Sequence, residues 1–122
     1  MATLTPTLTL ASNDISTTEA LNLTITDNIT VSGPCTTVIV PVSTTVKTIV
    51  TSSSSASIVF IYNTSANYTV FMSYGTPTTT AGHMKLGPGE FALIPHSTGT
   101  ALQAIASSGT ADLEIRKYQI AV

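Results

Sequence analysis

The sequence predicts an all-β protein, and both its composition and its residue pattern support that class. Only 8% of the 122 residues are charged, whereas an average globular domain carries about 25%. Roughly a third are Ser or Thr, and the abundant Thr is β-branched, so it favours the pleated, half-buried surface of a sheet. Apolar and polar residues alternate along most of the chain without a convincing helical period, which is typical of strands.

The expected architecture is a jelly-roll-like β-sandwich with about eight to ten short antiparallel strands. Turn residues separate the alternating stretches at intervals of about 8 to 12 residues, the spacing that favours a sandwich or barrel. Hydrophobic residues make up 43% of the chain, so a domain of this length can bury a core.

Residues 1–18 are predicted to be an N-terminal arm, followed by the sandwich domain over residues 19–122. Pro6 and a polar stretch before residue 19 interrupt the strand pattern of the arm. The arm is either one strand that pairs with another element or a frayed terminus. Its apolar positions, which alternate with threonines, are Leu4, Leu8 and Leu10.

The first strands of the domain follow from strict alternation. Residues 21–26 alternate apolar and polar side chains, and the pattern resumes at residues 29–31. The apolar run 38–42 contains Pro41, which cannot donate to a ladder, so it is an edge strand or a bulge. Another short strand is expected at residues 46–50.

The second half contains clear turn signals. Strands at residues 58–62 and 68–74 flank the polar segment 63–67, which predicts a hairpin with a five-residue loop. The sequence Gly87–Pro88–Gly89 predicts a compact turn, because proline presets φ and glycine tolerates the reversal.

The last two strands are expected at residues 101–106 and 111–120. In the final strand one face carries apolar side chains up to Ile115, and Tyr118 and Ile120 then continue the apolar pattern one residue out of phase. This slip predicts a β-bulge at Arg116–Lys117.

The shortage of charge excludes several classes of function. The net charge is −2, and phosphate backbones are bound by clustered cations, so we expect no direct nucleic-acid binding. No apolar run approaches the roughly 20 residues of a membrane span. The four cations of the chain are Lys47, Lys85, Arg116 and Lys117.

No residue pattern indicates catalysis, a metal or a cofactor. His83 and His96 have no neighbouring His, Cys or acid at ligand spacing, and a metal site needs several converging ligands, so both are expected at the surface or in turns. No Ser lies in a nucleophile elbow. Asp112 and Glu114 alternate with core positions, which places them on an outer strand face. We therefore predict a non-enzymatic protein without cofactor or metal.

Cysteine usage and the N-terminus bear on localisation. Cys35 is the single cysteine, so no intrachain disulfide can form. Residues 1–6 have neither a positive region nor an apolar core, so no signal peptide is expected. These features fit a protein that is made in a cytoplasm and leaves it, if at all, by a route other than secretion, of which assembly into a particle is one example.

Tyrosines are concentrated near the predicted hairpin. Tyr62, Tyr68 and Tyr74, together with Phe60 and Phe71, surround it. Aromatic rings on a sheet face can bind sugars, as in carbohydrate-binding modules. The alternative is cross-strand packing in the core and at an interface.

The segment from Leu86 to Pro95, with the sequence LGPGEFALIP, resembles the "L-x-P-G-E … I-P" passage of cupin-like jelly rolls. The metal-binding histidines of cupins are missing, so the resemblance implies shape and not activity. The same segment, followed by strands at 102–106 and 113–120, is similar to small β-sandwich structural proteins of tailed bacteriophages. That resemblance covers the chain from Val59 onward.

The phage resemblance implies a virion component without enzymatic activity. The expected function is capsid decoration, that is, a cement protein that binds the major capsid protein and associates with itself as a dimer or trimer. One alternative is a tail, neck or fibre component of the same particle, and another is a carbohydrate-binding module. The candidate interface residues are Leu4, Leu8, Leu10, Tyr62, Tyr68 and Tyr74.

Overall fold

The computed structural model describes residues 2–12, 21–32 and 35–121, and of Leu21 it describes the backbone alone. These residues form an all-β structure with antiparallel pairing and without a helix, which confirms the predicted class. The strands are β1 (Ala2–Leu4), β2 (Thr7–Ser12), β3 (Leu21–Thr26), β4 (Ile29–Val31), β5 (Thr36–Val42), β6 (Lys47–Val50), β7 (Ser57–Asn63), β8 (Val70–Ser73), β9 (Met84–Leu86), β10 (Phe91–His96), β11 (Leu102–Ala106) and β12 (Ala111–Gln119).

The described part of the chain thus contains twelve strands, more than the eight to ten predicted. The excess lies near the N-terminus, where two long strands are each interrupted. Pro6, which lacks an N–H, separates β1 from β2, and the pair Asp27–Asn28 separates β3 from β4. The eight strands from β5 to β12 form the body of the protein.

The body consists of two four-stranded sheets. Sheet I has the order β10-β7-β12-β5, and sheet II has the order β6-β11-β8-β9. Of the two alternatives predicted for residues 38–42, an edge strand or a bulge, the structure shows the edge strand, because β5 lies at the edge of sheet I. Pro41 is tolerated there because one side of an edge strand needs no donors.

The pairing of the body is nested. β8 pairs with β9, β7 with β10, β6 with β11, and β5 with β12, each time antiparallel. Consecutive strands such as β7 and β8 therefore lie in different sheets. The predicted hairpin between residues 58–62 and 68–74 is wrong: the intervening segment crosses from one sheet to the other.

The side chain of Asn63 holds this crossover in place. Asn63 is fully buried, and its amide donates to the carbonyls of Tyr68 at 2.8 Å and of Leu86 and Gly87 at 3.1 Å each. Its Oδ1 accepts from the N–H of Ser65 at 3.0 Å. Local polarity suggested a surface loop, but here an Asn serves as a buried hydrogen-bonding centre.

The turn at Gly87–Pro88–Gly89 forms as predicted. The N–H of Glu90 donates to the carbonyl of Gly87 at 3.1 Å, and Gly89 has a φ of 75°. Proline followed by a residue with positive φ is typical of a type II turn. This turn carries the chain from β9 in sheet II to β10 in sheet I.

Both sheets contribute to one hydrophobic core. Sheet I supplies inward-facing residues of β5, β7 and β12, and sheet II supplies those of β6, β8, β9 and β11. The largest fully buried hydrophobic side chains are Ile61, Met72, Leu102 and Leu113.

The register of β12 is continuous from Leu113 to Gln119 against β7, so the predicted bulge at Arg116–Lys117 is wrong. Tyr118 pairs with Ile58 on the outer face of the sheet. Because Ile58 gives Tyr118 an apolar neighbour on the outer face, the apolar pattern of β12 can change face without a bulge. An irregular register occurs instead between Leu102 and Gln103, opposite β6.

Candidate interaction surface

Residues 2–12 and 21–31 form a two-stranded antiparallel ribbon, here called the ribbon. Ala2 pairs with Val31, and Ser12 pairs with Leu21, so one register runs through both strand pairs. The N–H of Asp27 donates to the carbonyl of Pro6 at 3.1 Å and bridges the interruption. The predicted arm therefore pairs with the segment after it. The predicted division at residue 18 lies outside the described residues and stays a prediction.

The ribbon has one apolar and one threonine-rich face. Leu8 pairs with Ile25 and Leu10 with Leu23, and directly paired residues lie on the same face. The opposite face carries the pairs Thr7–Thr26 and Thr9–Thr24. Leu8, Leu10, Leu23 and Ile25 are 38% to 53% exposed, so the body does not cover the apolar face.

The base of the ribbon is attached to the end of β12. Val31 is buried and bridges to Ile120. The N–H of Ser32 donates to the carbonyl of Gln119, and the N–H of Ala121 to that of Thr30, both at 2.9 Å. The ribbon is therefore anchored at one end by backbone hydrogen bonds.

A groove separates the ribbon from the outer face of sheet I. It has a volume of about 600 Å³. The ribbon lines the groove with Leu8 and Ile25 among others, and sheet I lines it with an aromatic group that includes Phe60 and Phe91. The full lining is Pro6, Thr7, Leu8, Ile25, Asp27, Phe60, Phe91, Ala92 and Leu93.

The aromatic group combines β7 and β10. The ring centre of Phe60 lies 6.2 Å from that of Phe91 and 6.4 Å from that of Tyr62. Phe91 is 63% exposed, and its neighbour on the same face, Leu93, is also exposed. Apolar side chains of the ribbon and of sheet I thus border one open surface.

The predicted interface residues lie in different parts of the structure. Leu4, Leu8 and Leu10 share the apolar face of the ribbon, with Leu4 half-buried opposite Ile29. The three tyrosines do not share a face: Tyr62 is on sheet I, Tyr68 lies in the crossover, and Tyr74 follows β8 of sheet II.

The tyrosines also have different environments. Tyr68 is half-buried against the turn before β12, where a Cβ on Gly109 would collide with its ring. Tyr74 is exposed, and its ring centre lies 6.5 Å from that of His83 and 6.0 Å from that of His96. A single sugar platform formed by all three tyrosines has no counterpart in this arrangement.

Four side chains of the surface were missed by sequence reasoning: Leu23, Ile25, Phe91 and Leu93. The signal for the first two was available, because residues 21–26 repeat the Leu–Thr alternation of the arm. Their alternation predicts a strand of the domain, whereas Leu23 and Ile25 pair with the arm and remain exposed. Phe91 lies in the segment that resembles jelly rolls, and the sequence of that segment does not show that its side chain is exposed.

A serine–histidine contact closes the loop after β8. The hydroxyl of Ser73 lies 2.8 Å from Nδ1 of His83. Because the N–H of Tyr74 also donates to Nδ1 at 3.3 Å, this nitrogen is the acceptor and the Ser73 hydroxyl donates to it. The Ser73 oxygen accepts from the N–H of Gly75 at 3.1 Å. These bonds organise a turn around a buried hydroxyl.

His96 was predicted at the surface or in a turn, and this is wrong, because the side chain is 1% exposed. It ends β10 on the inward face, and neither ring nitrogen has a hydrogen-bond partner among the described residues. Burial lowers the pKa of His96, and the nearby charge of Lys117 lowers it further, while the backbone of Thr100 opposes these effects. Burial therefore favours the neutral form of the imidazole in the folded protein.

Cys35 is free and exposed just before β5. Its sulfur lies 3.9 Å from the Thr37 hydroxyl. Interaction with the Cys35 side chain, followed by burial, raises the pKa of Tyr118. Among residues 2–12, 21–32 and 35–121, no three His, Cys, Asp or Glu side chains are grouped so that they could hold a metal ion. In the same residues there is no helix with the length and apolarity needed to cross a membrane.

Comparison with known proteins identifies no relative: no protein-family model, no curated protein and no solved structure matches this chain.

Proposed function

We propose that the protein is a non-enzymatic structural component of a virus particle, a decoration protein that binds the outside of a capsid. The observation that carries the proposal is the uncovered apolar surface formed by the ribbon and the adjacent face of sheet I. Soluble monomers rarely leave large contiguous apolar patches open unless these bind a partner.

The free energy available from this surface is sufficient for a repeated weak contact. Full burial of a Leu or Ile side chain contributes about 1.5–3 kcal/mol, so each half-exposed side chain of the ribbon can still gain roughly 1 kcal/mol. Many copies on one shell multiply such contacts through avidity. Since the chain has few charges, the contact depends little on salt.

The body supports a jelly-roll-like sandwich as part of the proposal. Its strands pair as nested partners, from β8–β9 at the centre to β5–β12 at the outside, and its two sheets share one core. This is the order expected when a long antiparallel hairpin folds over into two sheets.

The test is binding to shells assembled from the capsid protein of the same genome. Labelled protein is mixed with undecorated shells, and sedimentation measures the bound copies. We expect saturation at a fixed ratio to the capsid subunit. A virion in which a few copies occur only in the tail would favour a tail component instead, and a genome without a capsid gene would contradict the proposal.

A matched pair of double variants tests the surface itself. Leu10→Ser with Leu23→Ser removes one cross-strand pair from the apolar face, whereas Thr9→Ala with Thr24→Ala changes the neighbouring pair on the other face. The first should weaken shell binding at least roughly tenfold, by the loss of two partly buried side chains. If only the threonine variant lost binding, the contacting face would be the opposite one.

A further inference from the structure

We propose that the free edge of β5 binds the same edge of a second copy, so that sheet I continues across a two-fold axis into an eight-stranded sheet. The proposal does not depend on capsid binding, because it concerns the protein in the absence of any other component. It follows from which backbone groups of β5 are free, what surrounds them, and how the other sheet edges differ.

The backbone groups that face outward on β5 can be identified from the ladder. The N–H of Thr64 donates to the carbonyl of Asp112 at 3.0 Å, so the backbone of Asp112 points toward β7 and away from β5. Its partner in β5 is Pro41, whose polar groups therefore point to the free edge. The carbonyl of Pro41 accepts from the Lys47 ammonium at 3.3 Å, which agrees with this direction.

The backbone N–H and C=O groups of alternate residues in a strand point to the same side. Thr37 and Ile39 therefore direct theirs to the free edge, as Pro41 does. Antiparallel pairing of two β5 strands with Val38 opposite Val38 of the second copy places Thr37 opposite Ile39 of that copy, and vice versa. Each such pair forms two hydrogen bonds, so the two-fold contact contains four. The Lys47–Pro41 contact remains at the outer end of the paired segment.

The side chains along the free edge of β5 are compatible with pairing to a second copy. Residues 35–46 contain no charged side chain, so two copies meet without like-charge repulsion inside the paired segment. Ile39 is exposed on the outer face of sheet I, and Val38 is 45% exposed on the inner face. Lysines and other charges usually protect an edge against such pairing.

Val38 is exposed because the two sheets diverge at this edge. An apolar cleft of about 170 Å³ opens there, lined by residues of β5 and β6 together with Ile115 and Lys117. In the two-fold arrangement the clefts of both copies face each other across the Val38 pair. Joining them covers apolar side chains that no residue of the described body covers.

The other edges of the two sheets of the body are better protected. β9 has three residues, with Lys85 at its centre. β6 has four residues and faces the register irregularity of β11. β10 follows the charged Glu90, contains Pro95, and lies along the groove beneath the ribbon. The edge of β5 is therefore the one we assign to the second copy.

The main experiment compares prolines at the two edges of sheet I. Ile39→Pro and Leu93→Pro each remove an outward-facing N–H and leave the internal ladder intact. The mass of the full chain is measured by sedimentation across a range of concentrations, with circular dichroism as the check on folding. Wild type and Leu93→Pro should form a dimer. Ile39→Pro should dissociate at least roughly tenfold more readily, because two of four hydrogen bonds are lost.

A crosslinking experiment tests the register in a Cys35→Ser background. Val38→Cys places the new thiols directly opposite one another, and mild oxidation should give a covalent dimer. Thr36→Cys is the control, because position 36 faces position 40 of the second copy and its own equivalent is too distant. A monomeric wild type, a dimer that Leu93→Pro abolishes, or crosslinking through Thr36→Cys alone would overturn the proposal.

Discussion

The ribbon and the body are built from similar alternating segments, yet they differ in what they bury. In the body, side chains such as Leu113 and Met72 are fully buried between two sheets. In the ribbon, Leu10 and Ile25 alternate in the same way and remain about half exposed. Alternation thus makes a strand with an apolar face, and a second layer is needed before that face becomes a core.

The ribbon has hydrogen bonds without a core of its own. Two-stranded hairpins alone are marginally stable in water, and this one is anchored only at the end near Val31 among its described residues. A partner that covers the apolar face would complete it, as the second sheet completes sheet I. Four predictions test this contrast.

The largest expected difference concerns apolar truncation in the two regions. Leu113→Ala leaves a cavity in the core and should lower the free energy of unfolding by about 2–5 kcal/mol. Leu10→Ala in the ribbon should cost less than about 0.5 kcal/mol in the free protein. Urea unfolding measures both. Equal costs would mean that the ribbon packs as tightly as the body.

The next contrast compares two asparagines. Asn63→Ala removes the buried amide that binds three carbonyls and should cost roughly 2–3 kcal/mol, because those acceptors lose their donor. Asn22, exposed on β3 of the ribbon, is the matched control, and Asn22→Ala should be nearly neutral. Thermal unfolding measures the stability of both variants. If Asn63→Ala were as stable as Asn22→Ala, Asn63 would be a replaceable loop residue and not a hydrogen-bonding centre.

A third prediction concerns pH. The pKa of His96 is lowered in the folded state, so below about 6.5 the unfolded chain binds a proton that the folded chain does not. Stability should therefore fall as the pH decreases from about 6.5 toward the lower folded pKa, by at most about 1.4 kcal/mol per pH unit. Urea unfolding between pH 7.5 and 5 should show this slope in wild type and a flatter one in His96→Leu. Identical slopes would contradict it.

The smallest effect is expected on the polar face of the ribbon. The hydroxyls of Thr7 and Thr26 lie 3.2 Å apart across the two strands, in contact with solvent. Thr26→Val keeps the β-branched shape and should change stability by less than about 0.5 kcal/mol. A loss above 1 kcal/mol would show that the ribbon contributes cooperatively to the folding of the body.

Particular elements show how far sequence reasoning reached. Pro41 indicated an edge strand or a bulge, and Gly87–Pro88–Gly89 indicated a turn, because each depends on the backbone chemistry of one or two residues. The hairpin at residues 58–74 was wrong because two adjacent alternating segments do not reveal whether they pair with each other or with distant strands. His96 was misplaced because its burial depends on the facing sheet.

The candidate surface was predicted in part for the same reason. Leu4, Leu8 and Leu10 could be identified from their alternation with threonine. Their partners across the ribbon, among them Ile25, and the exposed Phe91 depended on which strands pair. The three tyrosines looked like one group because they are close in sequence, but their strands lie in different sheets.

The sequence by itself determined the all-β class, most strands of the body, the nearly neutral composition and the turn at Gly87–Pro88–Gly89, because these are local consequences of side-chain period and backbone preference. The tertiary structure decided which strand lies beside which, which apolar faces are covered, and which edge remains open. Most of the chain alternates in a similar way, so many pairings satisfy the local pattern. The packing of two sheets around one core selects among these pairings. It leaves the apolar face of the ribbon and the free edge of β5 exposed.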